Sequence, residues 1–225
     1  MTTTHRAPAR DARPAAVLWD MDGTLVDTEP YWLEAETEVI AAHGSGVWTD
    51  EDARRCVGND LLVTASIVQQ TGKVRLPVER IVTLLLDAVV RRIRTTVPWR
   101  PGARELLSDL RGQQVPCALV TMSYERLVAP VLDSMPAGSF DVVVTGDNVS
   151  HGKPHPEPYQ HAARLLGVEP SACVAIEDSN PGATSAEAAG CRVLVVESHV
   201  RVDQGPRRVF RATLEGLTTR DLARL

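Results

Sequence analysis

Short apolar segments alternate with segments of helical period along most of the chain. The apolar segments are rich in β-branched residues and carry few charges, which is typical of strands buried on both faces of a parallel sheet. Two of the helical segments end at a glycine, Gly167 and Gly190, the usual residue just past a helix end. The predicted strands are residues 15–19, 115–120, 140–144, 173–176 and 191–196, and the predicted helices are residues 104–110, 125–133, 156–166 and 182–189.

This alternation predicts the fold class. Strands that alternate with helices form an α/β fold, here a doubly wound, Rossmann-like parallel sheet with helices on both faces. Ligands of such sheets bind outside the carboxyl ends of the strands, near the point where strand order reverses. We therefore expect the residues that carry chemistry to follow the strands directly.

A long helical stretch, residues 31–97, interrupts the alternation and contains no segment with a strand pattern. Its apolar residues from Val78 to Ile93 recur at i, i+3, i+4 and i+7, and we interpret that stripe as core. Thr49 and Asp52 resemble a capping box that begins a helix ending near Gly58. The predicted organisation is a flexible tail at 1–14, a core domain at 15–29 and 98–225, and an inserted helical module at 30–97.

Charge and composition narrow the function classes. The formal net charge is -5 at pH 7, so the chain lacks the basic surplus that binds nucleic acids or anionic lipids. No apolar run approaches the roughly 20 residues needed to span a bilayer. The four cysteines show no CxxC spacing, which favours buried thiols over a zinc site. These features predict a cytoplasmic protein, expected as a monomer, that binds neither nucleic acid nor membrane.

Polar residues follow each predicted strand. Asp20 and Asp22 leave the first strand together, and Gly23 lets the backbone approach a bound anion closely. Carboxylates can hold Mg²⁺ through oxygen, and a hydroxyl and a lysine can bind phosphoryl oxygens. One carboxylate can attack while another transfers protons. The residues that follow the later strands are Thr121 and Ser123, then Lys153, then Glu177 and Asp178.

Four sequence motifs resemble those of the haloacid dehalogenase superfamily of phosphatases. The motifs are DMDGTLVDTEP, the TMS around Thr121, GKPHPEPY and IEDSNPGA, and the resemblance extends from Ala15 to about Val196. It implies an inserted helical cap of type I, with hinges near Asp27 to Pro30 and Pro98 to Pro101.

The resemblance also implies roles for individual residues of the first three motifs. Asp20 would be the nucleophile that forms an aspartyl-phosphate, and Asp22 would protonate the leaving alcohol and then activate water. Thr121 and Lys153 would bind the phosphoryl group, and the amide of Met122 is expected as a further contact. Ser123 is expected to cap the helix that follows it.

Magnesium is the cofactor that the family implies. It would be held by a carboxylate oxygen of Asp20, the backbone carbonyl of Asp22 and the side chain of Asp178. Glu177 would support the metal through water or the surrounding shell. The adjacent cation and Lys153 would favour the ionised form of Asp20.

The second carboxylate limits the reaction. Asp22 argues against haloacid dehalogenases, which lack that acid, and against phosphonatases, which have alanine there. A sugar phosphomutase of the β-phosphoglucomutase type stays open, although such enzymes typically carry histidine where Trp32 stands and an arginine near Leu61. Both departures favour hydrolysis.

The substrate is expected to be a small phosphorylated metabolite. The string DTEPYWLEAE resembles small sugar-phosphate phosphatases, so a hexose, deoxyhexose or polyol phosphate is predicted, with phosphoglycolate and nucleoside monophosphates as alternatives. A non-catalytic metal- or phosphate-binding module is the alternative outside enzymes. Candidate cap contacts to the substrate are Thr28, Glu29, Asn59 and Lys73.

Overall fold

A six-stranded parallel sheet forms the centre of the protein in a computed structural model that describes residues 13–56 and 61–225. The strand order is β3-β2-β1-β4-β5-β6, so the chain winds outwards in both directions from β1. The order therefore reverses beside β1, where a ligand site is expected. The strands are β1 (Ala16–Trp19), β2 (Cys117–Val120), β3 (Val142–Val144), β4 (Cys173–Glu177), β5 (Arg192–Val196) and β6 (Arg208–Arg211).

The central strands are buried on both faces. Every residue of β1 and β2 is 0 % exposed, and Val17 is in register with Cys117 on one side and Val174 on the other. Full burial of a side chain the size of leucine stabilises the fold by about 1.5–3 kcal/mol relative to exposure. This explains the continuous apolar runs, and it confirms the predicted doubly wound α/β fold.

Nine α-helices lie within the described ranges, and the ends of several follow local sequence signals. Gly167 and Gly190 adopt left-handed backbone conformations, with φ of 70° and 103°, and close two of the helices as predicted. The helices are α1 (Glu29–His43), α2 (Asp50–Arg54), α3 (Leu61–Thr71), α4 (Val78–Thr95), α5 (Ala103–Gly112), α6 (Glu125–Asp133), α7 (Glu157–Leu166), α8 (Asn180–Ala189) and α9 (Thr219–Ala223).

Helices α1 to α4 form a helical segment inserted between β1 and α5. The α4 stripe is buried, with Leu85 and Val89 at 0 % exposure, and α4 packs against α1, α3 and α6. Thr49 and Asp52 form the predicted capping box of α2. That helix ends at Arg54, before the predicted end near Gly58, which lies outside the described residues.

Among the helices that the structure describes, none combines the length and the apolar character that crossing a membrane requires.

Two short connections join this helical segment to the sheet, and they are bonded to each other. The Asp27 amide donates to the Pro98 carbonyl at 2.7 Å, and the Arg100 amide donates to the Leu25 carbonyl at 3.0 Å. Val26 forms an isolated antiparallel bridge with Trp99 between these bonds. These connections overlap the segments predicted as hinges, and both the hinge role and the domain boundaries stay predictions.

Three parts of the chain differ from the sequence-based expectation or lie beyond it. Strand β6 and helix α9 were not predicted; β6 reads RVFR, and its Arg208 pairs with Glu187 at 3.0 Å. A charged edge strand lacks the apolar run that marks buried strands. Of the predicted flexible tail, only residues 13 and 14 belong to the described chain.

Candidate active site

The ammonium group of Lys153 lies between two buried carboxylates. It donates to Asp20 Oδ1 at 2.7 Å, to Glu177 Oε1 at 2.6 Å and to the carbonyl oxygen of Val120 at 2.9 Å. Asp20 follows β1 and Glu177 ends β4, and these neighbouring strands flank the point where strand order reverses. The convergence expected from the sequence is therefore present at the carboxyl edge of the sheet.

Glu177 is a fully buried partner of Lys153. Its side chain is 0 % exposed, and its Oε1 also accepts a hydrogen bond from the Tyr159 hydroxyl at 2.5 Å. Its Oε2 accepts from the amide of Asp178 and the hydroxyl of Ser179, both at 3.3 Å. Both oxygens of Glu177 are thus bound by protein donors, and one of them accepts from Lys153, while its predicted support of a metal stays a prediction.

Three hydroxyl groups hold the carboxylate of Asp22. Thr28 donates to Oδ1 at 2.6 Å, while Ser123 and Thr121 donate to Oδ2 at 2.7 Å and 3.3 Å. The expectation that Ser123 caps the following helix is wrong. Tyr124 occupies the N-cap position of α6 without a side-chain cap bond, because the Ser123 hydroxyl is bound to Asp22 instead.

Two glycines permit the close packing of the acidic groups. At Gly23, where φ is 85°, an added Cβ would lie 1.9 Å from Asp178 Oδ2. At Gly182, in the first turn of α8, a Cβ would lie 2.0 Å from both Glu177 oxygens. The Gly23 amide donates to the Val26 carbonyl at 2.7 Å within the turn. In this structure Gly23 therefore makes room for a carboxylate, and its predicted contact with phosphate stays a prediction.

Burial shifts the pKa values of the site. Burial, reinforced by the charges of Glu177 and Asp22 and opposed by Lys153, raises the pKa of Asp20 to about 7. Burial and the charge of Asp20 raise the pKa of Asp178 to about 9. For Lys153, burial lowers the pKa, but the charges of Asp20 and Glu177 outweigh burial and raise it. The lysine therefore stays protonated. The positive charge of Lys153 is not sufficient to keep the pKa values of the two aspartates at their ordinary level.

The acidic cluster fits a hard divalent cation. Asp20 Oδ2 is buried and has no hydrogen-bond partner among the described residues, which leaves an anionic oxygen unsatisfied. One carboxylate oxygen each from Asp20, Glu177 and Asp178 lies within 4.8 Å of the others. Mg²⁺ prefers this kind of oxygen donor and usually keeps several waters besides.

A cavity of about 500 Å³ opens from these residues towards the helical segment. The predicted cap residues Thr28 and Glu29 line it, but Thr28 already binds Asp22. Lys73 is exposed and does not line this cavity, and Asn59 lies outside the described residues. Met122 lines the cavity, and its sulfur accepts a hydrogen bond from the Lys153 amide at 3.3 Å.

Sequence reasoning missed two residues that matter here. Tyr159 is 0 % exposed and has its ring 5.2 Å from the Lys153 ammonium, in addition to its bond to Glu177. Its place at the end of the GKPHPEPY motif was the available signal. Glu36 is 3 % exposed and lines the cavity from α1. Nothing in the sequence separates Glu36 from the other glutamates of that helix.

Fold and site together define an α/β enzyme with a carboxylate and lysine centre at the edge of its sheet. The chain matches the family model described as haloacid dehalogenase-like hydrolase over residues 17–196. The protein therefore belongs to the haloacid dehalogenase-like hydrolases, which confirms the sequence-based assignment.

Relatives and a solved structure agree with this family. The chain is 31 % identical over 216 residues to Hexitol phosphatase B of Escherichia coli (strain K12), covering 92 % of this chain and 96 % of that protein. It is 31 % identical over 185 residues to Phosphoglycolate phosphatase 1 of Pseudomonas aeruginosa, covering 80 % and 68 %. CbbY from Rhodobacter sphaeroides, solved in complex with phosphate, superposes with a TM-score of 0.80 at 27 % identity, covering 90 % and 95 %. The names of the two curated relatives confirm the expected class, a phosphoric monoester hydrolase.

Proposed function

We propose that the protein is a Mg²⁺-dependent phosphatase that hydrolyses a small sugar or polyol phosphate through an aspartyl-phosphate on Asp20. The observation that carries this proposal is the Asp20 carboxylate, which lines the cavity. One of its oxygens accepts a hydrogen bond from Lys153, and the other has no partner in the part of the chain that the structure describes. A fixed, partly desolvated carboxylate beside a permanent cation is suited to attack phosphorus.

The first half of the reaction uses Asp20 and Asp22. A carboxylate oxygen of Asp20 bonds to phosphorus while the bond from phosphorus to the ester oxygen breaks. The leaving alcohol takes its proton from Asp22, which three hydroxyls hold in position. In the second half, Asp22 accepts a proton from water, the water oxygen bonds to phosphorus, and phosphate leaves while Asp20 is regenerated.

The remaining residues supply charge and orientation. Lys153 and the Thr121 hydroxyl would bind phosphoryl oxygens, with the Met122 amide beside them. Asp20, the carbonyl of Asp22 and Asp178 would hold Mg²⁺, which when bound neutralises charge on the phosphoryl group and on the aspartates. That added charge lowers the pKa values of Asp20 and Asp178 from their raised values, and so favours the ionised nucleophile.

Hydrolysis is favoured over sugar phosphate isomerisation by two residues of the helical segment. Trp32 and Leu61 both line the cavity. Mutases of the β-phosphoglucomutase type typically carry histidine where Trp32 stands and an arginine near Leu61. An indole does not transfer a proton as histidine does, and a leucine side chain carries no charge for a phosphate. The name Hexitol phosphatase B supports a polyol ester as substrate, and a cytoplasmic monomer stays a prediction.

Asp20→Asn tests the nucleophile. With Mg²⁺ and p-nitrophenyl phosphate, this variant should lose roughly 10³-fold or more in kcat with its circular dichroism spectrum unchanged. The matched control is Asp50→Asn, which removes an exposed carboxylate from the first turn of α2 and should keep the rate of the unmodified protein. Equal rates for Asp20→Asn and the unmodified protein would reject the proposal.

Quenching the reaction with acid distinguishes the role of Asp22 from that of Asp20. Asp22→Asn should still be phosphorylated but turn over slowly, so mass spectrometry should find phosphate on the peptide that contains Asp20.

A substrate panel of sorbitol 6-phosphate, sugar phosphates, phosphoglycolate and nucleoside monophosphates identifies the ester. Formation of glucose 6-phosphate from glucose 1-phosphate without release of phosphate would support the mutase alternative.

A further inference from the structure

One face of helix α1 carries two acidic side chains into the cavity. Glu29, Trp32 and Glu36 are spaced i, i+3 and i+7, which places them on the same side of the helix, and all three line the cavity. Glu36 is the deepest of the three, with 3 % exposure. A carboxyl group at this depth is costly unless it finds polar partners.

The described residues near Glu36 offer it few polar partners. Cys56, Leu61 and Leu86 line the same cavity, and the Cys56 thiol lies beside the carboxyl group. Burial and the charge of Glu29 raise the pKa of Glu36 to about 8. The side chain is therefore mainly a neutral acid at pH 7, which both donates and accepts hydrogen bonds.

The described residues that line the cavity offer no free cation for a second anionic group. Among its described lining residues, the only basic side chains are Lys153 and His199. Lys153 is bound to two carboxylates at the sheet edge, and His199 lies 2.7 Å from Asp27. A carboxylate or second phosphate on the substrate would lie near Glu29 without a counter-ion, a cost of the kind by which binding sites reject wrong ligands.

We propose that Glu36 is a specificity-determining residue that hydrogen-bonds a hydroxyl group of an uncharged polyol or sugar, and that with Glu29 it selects against esters bearing a second anion. This inference rests on the proposed phosphatase function, because the leaving group must point from Asp20 towards α1. Two acids without a free cation suit a polyhydroxylated leaving group, since each hydroxyl donates and accepts.

Two variants of Glu36 separate hydrogen bonding from packing. Glu36→Leu removes the polar group and suits the apolar neighbours, so it should fold, whereas Glu36→Gln keeps a donor and an acceptor. We expect Glu36→Leu to lower the ratio of kcat/KM for sorbitol 6-phosphate to kcat/KM for p-nitrophenyl phosphate about tenfold, mainly through KM. Glu36→Gln should restore most of that ratio. The matched control is Glu38→Gln, an exposed glutamate of the same helix.

A second comparison tests the selection against anions. In the unmodified protein, phosphoglycolate should have a lower kcat/KM than sorbitol 6-phosphate, and Glu29→Gln should narrow that difference about fivefold. The inference is overturned if phosphoglycolate is the better substrate, if no polyol or sugar phosphate exceeds p-nitrophenyl phosphate, or if Glu36→Leu leaves the ratio unchanged. An unmodified protein that hydrolyses no phosphate ester with Mg²⁺ would instead overturn the proposed function itself.

Discussion

The strand-end site and the α1 face of the cavity both bury carboxyl groups, but they treat them differently. At the strand ends, Asp20 and Glu177 share the ammonium of Lys153 at 2.7 Å and 2.6 Å. On α1, Glu36 is 3 % exposed, compared with 7 % for Asp20 and 0 % for Glu177. Among the described residues, the Cys56 thiol lies beside Glu36, and the charge that raises its pKa is that of Glu29. One region pairs its acids with a cation, and the other leaves an acid without one.

This difference matches the two tasks that the proposed function assigns to the two regions. A nucleophile must be ionised, and Lys153 supplies positive charge beside Asp20. A group proposed to recognise hydroxyls works best as a neutral donor and acceptor, and burial together with the charge of Glu29 favours that state at Glu36. Removing the cation, the metal or the buried acid tests each side of this contrast.

The largest effect is expected when the shared cation is removed. Lys153→Met leaves Asp20 and Glu177 buried without their partner, which should destabilise the protein by about 3–5 kcal/mol. The rate on p-nitrophenyl phosphate should fall about 10³-fold, because the charge beside the phosphoryl group is lost. Urea unfolding and steady-state kinetics measure the two effects.

Lys73→Met is the matched control, because Lys73 is exposed and lies outside the cavity. Its stability should stay within about 0.5 kcal/mol of the unmodified protein. A Lys153→Met protein as stable as this control would show that the buried carboxylates do not need the ammonium.

A smaller effect is expected from Mg²⁺, and it should grow with pH. The pKa values of Asp20 and Asp178 rise on folding from an ordinary 3.8 to about 7 and about 9. Without a cation, their contribution to stability is complete below about pH 4 and is lost as the pH rises through 7 and then 9. Mg²⁺ at roughly 100 times its Kd should stabilise the protein by about 2.7 kcal/mol. The increase in Tm that Mg²⁺ causes should be larger at about pH 8.5 than at about pH 6.5.

Glu36 provides a comparison for this measurement. Its pKa is raised, as those of Asp20 and Asp178 are, but Glu36 is not one of the proposed metal ligands. Glu36→Leu should reduce the fall of Tm with pH in EDTA and leave the response to Mg²⁺ intact. An increase in Tm on adding Mg²⁺ that is equal at both pH values would contradict the assignment of Asp20 and Asp178 to the metal.

The smallest effect is expected at Ser123. Ser123→Ala removes one of three hydroxyls from Asp22, and Thr28 and Thr121 still hold the carboxylate. We expect a loss of about 1 kcal/mol in stability at most and a fall in kcat of about fivefold. Ser66→Ala is a suitable control, since that hydroxyl bonds only to the Leu62 carbonyl of its own helix. An unchanged kcat in Ser123→Ala would show that this contact does not position the acid.

Local signals made much of the fold predictable. Strands β1, β2 and β4 are apolar because both faces are buried, and Gly167 and Gly190 end helices through a backbone conformation that glycine adopts easily. The groups that follow the strands meet because the carboxyl ends of parallel strands lie at one edge. Their types and order along the chain predicted that Asp20, Glu177 and Asp178 meet near Lys153, but not that Tyr159 lies beside it.

Contacts between distant residues were not predictable in the same way. Ser123 was assigned to its own helix, but its partner Asp22 lies 101 positions away. Strand β6 has no apolar run because it lies at the edge and carries paired arginine. Glu36 is one of four glutamates on α1, and only tertiary packing decides which of them faces the cavity.

The paired connections between the sheet and the helical segment have a mechanical consequence. Because residues 25–27 and 98–100 are hydrogen-bonded to each other, the two crossings behave as one ribbon and not as two independent swivels. A displacement of one crossing therefore strains its hydrogen bonds to the other. Any reorientation of α1 to α4 relative to the sheet has to involve both crossings together.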